Sequence, residues 1–124
     1  MSSLNDIKMY DNNNIFAKIL REEIPCKKIY EDDFSLFFHD INPQAKIHVL
    51  GIPKVSCVDM FDFINSSDDK TVKSFFKSIN LVIEKLNIKE SGFRIISNSG
   101  HHGGQEVPHF HVHILGGENI KIGF

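Results

Sequence analysis

The sequence has no Trp, only 2 Cys and 4 Pro, and no apolar run of the roughly 18 residues that a membrane-spanning helix needs. Cys26 and Cys57 stand far apart with no Cys-x-x-Cys between them, so neither a zinc ribbon nor a disulfide framework is indicated, and both read as free thiols in passive positions. The first residues, MSSLNDIKMYDNNN, lack the basic start and apolar stretch of a signal peptide, so the expected location is cytoplasmic, with no membrane partner. Neither charge sign dominates. The 14 Lys+Arg against 16 Asp+Glu give a formal charge of −2, which argues against a general binder of nucleic acid polymers, since such proteins work by neutralising phosphates. No low-complexity tract and no repeat of about 20 to 50 residues occurs, which excludes disordered, fibrous and solenoid classes.

What remains is an ordinary globular composition on 124 residues, 41% hydrophobic and 24% charged, enough for one core and one domain. The aromatic content is almost all Phe, 11 against 2 Tyr. The unusual count is His: 7 in all, 5 of them between positions 101 and 113.

The pattern along the chain places residues 1–13 as a flexible N-terminal extension and 14–124 as a single domain. Residues 14–23 carry Ile15, Phe16, Ile19 and Leu20 at helical spacing, with an Asn run to cap the start and Pro25 beyond the end. Residues 28–31 and 34–40 read as a hairpin turning at Asp32 and Asp33. Residues 46–53 read as a central strand because both alternating sides are largely apolar. Residues 58–64 suggest one or two helical turns. The clearest helix spans 68–86, with Val72, Phe75, Phe76, Ile79, Val82, Ile83 and Leu86 on one stripe and Ser67 as its expected cap. Residues 93–97 and 110–115 supply two more strands. This order predicts an α+β domain with a mostly antiparallel five-stranded sheet, one long helix and one short helix.

Residues 108–115, Pro-His-Phe-His-Val-His-Ile-Leu, alternate strictly. In a strand this puts His109, His111 and His113 on one face, spaced by about 6.6–6.8 Å, and Phe110, Val112 and Ile114 on the other, where they can dock on the long helix. Three adjacent imidazolium ions would repel one another, so at least some should be neutral at pH 7. Upstream lies Asn98-Ser99-Gly100-His101-His102-Gly103-Gly104-Gln105-Glu106-Val107. Glycines allow a close approach to a ligand and turn backbone N–H groups toward an anion. An anion cradle beside co-facial histidines suits phosphoryl transfer. His101 and His102 read as solvated loop residues.

The run His109-Phe110-His111-Val112-His113-Ile114-Leu115 resembles the His-φ-His-φ-His-φ-φ signature of the histidine triad (HIT) superfamily, where φ is apolar, and the following Gly116-Gly117 looks like its HINT branch. Ile15-Phe16-Ala17-Lys18-Ile19, Glu23-Ile24-Pro25, Tyr30-Glu31-Asp32-Asp33, His39-Asp40-Ile41-Asn42-Pro43-Gln44-Ala45, His48-Val49-Leu50-Gly51-Ile52-Pro53-Lys54 and Gly103-Gly104-Gln105-Glu106-Val107 are similar to HINT stretches in the same order. The resemblance implies a HIT-like fold whose sheet extends across a homodimer. It implies metal-independent hydrolysis of purine nucleoside 5′-phosphoramidates through a nucleotidyl-histidine intermediate, with no cofactor. By position, His111 would attack the α-phosphorus, His113 would assist the leaving amine, and His109 and His48 would orient and tune His111. Asp40 would hold the ribose hydroxyls, His39 and Ile41 would line the purine pocket, and Asn98, Gly104, Gln105 and Val107 would form the phosphate-side loop. Two departures stand out: Pro108 where relatives often carry an aromatic, and Glu106 where animal members have Ser.

Four rival readings follow from the same residues. A dinucleoside polyphosphate hydrolase of the superfamily would use the same nucleophile, but Gly116-Gly117 and Gly104-Gln105-Glu106-Val107 disfavour it. The transferase branch replaces the third His by Gln and is excluded by His113. A zinc module built on the three strand histidines would leave the glycine loop unexplained and lacks an acidic second shell. A nucleotide-binding scaffold with vestigial activity is the remaining alternative.

Overall fold

The computed structural model describes residues 9–121. Its elements run α1 (Ile15–Leu20), β1 (Lys28–Glu31), β2 (Ser35–His39), β3 (Ile47–Pro53), α2 (Met60–Ser66), α3 (Asp69–Leu86), β4 (Arg94–Ile96) and β5 (Val112–Gly116). The strands form one antiparallel sheet in the order β1-β2-β3-β5-β4. The α+β class and five-strand sheet match the sequence expectation, with three helices in place of one long and one short. The expected extension over residues 1–13 falls mostly outside the described residues. No described helix is long and apolar enough to cross a membrane.

Both faces of the sheet are covered, which is why its central strands read as apolar on both sides. On one face, Phe37, Val49, Phe110, Val112 and Ile114 pack against Phe75, Ile79, Val82 and Ile83 of α3. On the other, Leu36, Phe38, Leu50 and Ile52 pack against Phe16 and Ile19 of α1. Strand alternation therefore sends His48, which shares its parity with Leu50, to the α1 side, and His113 stands opposite Leu50 in the register.

Local chemistry sets the element ends. Asn14 caps α1 by accepting from the Ala17 N–H at 2.9 Å. The helix stops at Leu20, short of the expected 23, because Glu22 turns into the left-handed region at φ 63°. Asp68, not Ser67, caps α3: its carboxylate accepts from the Thr71 N–H at 2.9 Å, while Ser67 closes α2. Phe76 lies at the rim of the α3 stripe and is 43% exposed, so only Phe75 of the Phe pair enters the core. Asp32 locks the β1–β2 turn to α3, its carboxylate accepting from the N–H groups of Phe34 and Ser35 and from the Tyr30 and Ser78 hydroxyls.

Gly51 is forced by packing. It pairs across the sheet with Phe37, and a Cβ there would stand 2.3 Å from Phe37 Cε2. Phe37 has no room to yield because it is fully buried and stacked on Phe75 at 6.0 Å. Gly51→Ala is expected to destabilise the fold by about 2 kcal/mol through overpacking. Urea denaturation of the two proteins measures this, and equal midpoints would contradict it.

Candidate active site

A cavity of about 530 Å³ opens beside α1, within the roughly 300–1,000 Å³ usual for small-ligand sites. Ile15, Phe16 and Ile19 of α1 with Phe38 and Leu50 of the sheet form apolar walls, and His48, His111, His113, Asp40, Asn98 and Glu106 bring polar groups to it. His39, Ile41, Gly104 and Val107 also line it. Ile41, at 93% exposed, stands at the open rim.

The histidine strand is only partly a strand. Regular pairing begins at Val112, because the Phe110 N–H donates to the Cys57 carbonyl at 2.9 Å and not to a neighbouring strand. Alternation still holds: Phe110, Val112 and Ile114 face α3, and the three histidines face α1. The His111 and His113 ring centroids are 5.1 Å apart, less than the ladder spacing expected from sequence.

The tautomers follow from the partners. His111 Nδ1 lies 2.7 Å from the His109 carbonyl. A carbonyl only accepts, so Nδ1 carries the proton and the Nε2 lone pair is left for the cavity. His109 Nε2 donates to the Pro53 carbonyl at 2.9 Å, and its Nδ1 accepts from the Tyr10 hydroxyl at 2.6 Å. Both nitrogens of His109 are thus engaged behind the cavity wall. His48 Nδ1 accepts from the Gln44 N–H at 3.0 Å, so its Nε2 carries the proton and faces His113 Nδ1 at 2.9 Å and Asp40 Oδ2 at 3.3 Å. His113 Nδ1 then accepts, and the His113 proton sits on Nε2. His48 therefore touches His113, whereas the family resemblance implied an action on His111.

Burial keeps these rings neutral. Desolvation pushes His109 down to about 4, and desolvation with the neighbouring His111 and His48 does the same to His113. His111 and His48 are also pushed below the ordinary imidazole value by burial, which outweighs the attraction of Asp40. The neutral ring leaves His111 a lone pair for nucleophilic displacement, and His113 stands beside it with Nε2 placed to carry a proton to a leaving group.

The loop before the histidines is built on glycine. Gly104 has φ 72°, and a Cβ on Gly103 would collide with the Ser99 carbonyl at 2.3 Å. Gln105 does not line the cavity. Its Oε1 accepts from the Gly100 N–H at 2.9 Å and its Nε2 donates to the Val58 and Val107 carbonyls at 2.7 and 3.0 Å, so its side chain braces the loop. His101 and His102 are exposed and do not line the cavity. Cys26, read from sequence as passive, lines it. The Tyr10 contact was also missed, since a tyrosine before the first helix has no periodicity to mark it.

Among the described residues, Asp40, His48 and His113 bring ligand atoms within 4.8 Å of one another, a set that differs from the three strand histidines. A metal on His48 Nε2 would drive the ring proton onto Nδ1, against the N–H of Gln44. The donor pattern fits a proton chain better than a metal centre.

The family profile described as HIT domain matches residues 21–120. The chain is 47% identical over 113 residues to a HIT-like protein of Azospirillum brasilense, covering 91% of this chain and 93% of that one. It is 40% identical over 106 residues to the purine nucleoside phosphoramidase of Escherichia coli, covering 86% and 88% respectively. A HIT family hydrolase structure from Clostridium thermocellum superimposes with a TM-score of 0.82 at 38% identity, covering 92% of this chain and 98% of that one.

The low values of His109 and His113 tie stability to pH. Between their ordinary 6.5 and about 4 the unfolded chain binds protons that the folded one refuses, so stability is full above pH 6.5 and declines as pH falls through that window. Denaturant midpoints measured between pH 7 and 4.5 should decrease, and His113→Gln should show a shallower decrease; parallel slopes would contradict the assignment.

Proposed function

The chain belongs to the HIT domain family, and from that membership we propose that it hydrolyses purine nucleoside 5′-phosphoramidates without a metal or cofactor, with purine nucleoside monophosphate as product. The observation that carries the proposal is the tautomer chain: His111 Nδ1–H bound to the His109 carbonyl, Nε2 free for the cavity, and a neighbouring His113 whose proton sits on Nε2. The phosphoramidase relative supports the substrate class.

His111 Nε2 attacks the α-phosphorus and forms a phosphorus–nitrogen bond to the imidazole. The bond to the leaving nitrogen breaks as His113, which enters the step as the imidazolium that the bound phosphoryl anion favours, gives up its Nε2 proton, so a neutral amine departs and His113 is left neutral. Such proton transfer typically contributes about 10²- to 10⁴-fold. Water then attacks the nucleotidyl-imidazole, gives its proton to His113, and releases the nucleoside monophosphate with His111 regenerated. His48 Nε2, 2.9 Å from His113 Nδ1, holds that ring with its own Nε2 toward the leaving group. Asp40 suits the ribose because a carboxylate accepts from both hydroxyls; one of its oxygens already takes the Asn42 N–H at 2.8 Å, which fixes its rotamer. Asn98, Gly104 and Val107 border the phosphate, with Gln105 holding their loop, and His39 and Ile41 border the base.

The proposal includes a homodimer. Three-residue β4 is an edge strand, and exposed Phe93 and Ile95 beside Phe76 of α3 give that edge an apolar surface. Sedimentation velocity should return a dimer's mass, and a monomer at micromolar concentration would remove that part.

His111→Ala should abolish turnover of an adenosine phosphoramidate and leave nucleoside monophosphate binding within about threefold. Rapid quenching of the native enzyme should trap a nucleotidyl adduct on His111. Retention of more than a few per cent of activity by the variant, or faster native turnover of a diadenosine polyphosphate than of the phosphoramidate, would overturn the reading.

A further inference from the structure

Tyr10 precedes every element of the domain, yet its hydroxyl lies 2.6 Å from Nδ1 of His109 and its ring meets that imidazole edge-on at 5.5 Å between centroids. The segment that carries it is tied down. The Asp11 carbonyl accepts from the Asn14 backbone N–H at 3.1 Å and from its Nδ2 at 2.7 Å, and the Asn12 carbonyl accepts from Arg21 Nη1 at 2.9 Å. Asn14 in turn caps α1, whose Phe16 sets its edge against both His109 and His111, at 6.4 and 4.9 Å. The start of the domain is thereby clamped to the back of the histidine segment.

The consequence for His109 is a single permitted tautomer. Its Nε2 faces the Pro53 carbonyl at 2.9 Å, which only accepts, so Nε2 must carry the proton and Nδ1 must present a lone pair. The Tyr10 hydroxyl is the donor that meets that lone pair. Without it, His109, 1% exposed, would hold a buried acceptor with no partner. Escape to the other tautomer would aim a lone pair at the Pro53 carbonyl oxygen. Either outcome shifts the ring and the main chain of residue 109. The main-chain carbonyl of that residue is the group that holds His111 Nδ1–H at 2.7 Å.

We infer that Tyr10 is a positioning residue: its hydroxyl fixes the tautomer of His109 and, through the His109 carbonyl, the direction of His111 Nε2. The inference rests on the reaction proposed above for its kinetic part. Tyr10 touches no substrate, and its effect passes through two imidazoles.

The test is Tyr10→Phe in the full chain, which keeps the edge contact and removes only the hydroxyl. It should lower kcat by about tenfold and leave KM within about twofold, because aim is lost and the cavity is not. In ¹⁵N-imidazole spectra of the substrate-free proteins, the variant's His109 nitrogens should move from the resolved single-tautomer pattern toward an averaged one, and His111 Nδ1 should shift with them. Unchanged kcat would overturn the inference. So would reduced kcat with the His109 and His111 nitrogens unmoved, or a lower melting temperature with native kcat. The nitrogen spectra need no substrate, so absence of phosphoramidate turnover in the native protein sinks the proposed reaction while the role of Tyr10 is still decided by His109 and His111.

Discussion

The hydrogen bond from His111 Nδ1–H to the carbonyl of His109 organises the site. It decides which nitrogen of His111 keeps a lone pair, and it makes the backbone at residue 109 the reference from which that nitrogen is aimed. Everything around it serves to hold that carbonyl still. His109 bridges Tyr10 and the Pro53 carbonyl, the Phe110 N–H reaches Cys57, and the Ser97 hydroxyl donates to the His111 carbonyl at 3.0 Å. The sheet contributes at one remove, by fixing His113 between β3 and β4.

Burial is the second constraint, and it acts on charge. The chain is mildly acidic, no Lys or Arg lines its cavity among the described residues, and the rings that face it are pushed toward neutrality by desolvation. Binding one phosphate there would fall to backbone N–H groups and imidazole N–H donors, which differs from the neutralisation of a polyanion by lysine and arginine. Glu106 at the same cavity adds a negative charge to the environment of His111.

Much of this was legible in the sequence, for physical reasons. A period of two over residues 109–115 has one structural meaning, so the sorting of His from Phe, Val and Ile survives even where the ladder has not begun. The α3 stripe and the two-sided apolar character of β3 were legible for the same reason. Contacts between elements distant in sequence left no such trace. Nothing local distinguishes Asp68 from Ser67 as a cap, or tells that the Gln105 amide turns to Val58 and away from the cavity. The partner of His48 is settled by register, since His113 sits opposite Leu50, and register is a property of the pairing. Gly51 reads as an ordinary strand residue until Phe37 is laid across it.

The groups that orient the imidazoles are mostly main-chain atoms: the carbonyls of Pro53 and His109, and the N–H of Gln44. Main-chain partners outlast any substitution that keeps the backbone path. The positions around the histidines are therefore free to drift over evolutionary time without retuning the rings. Tyr10 on His109, like His48 on His113, is an exception, a contact made by a side chain that a single base change could erase.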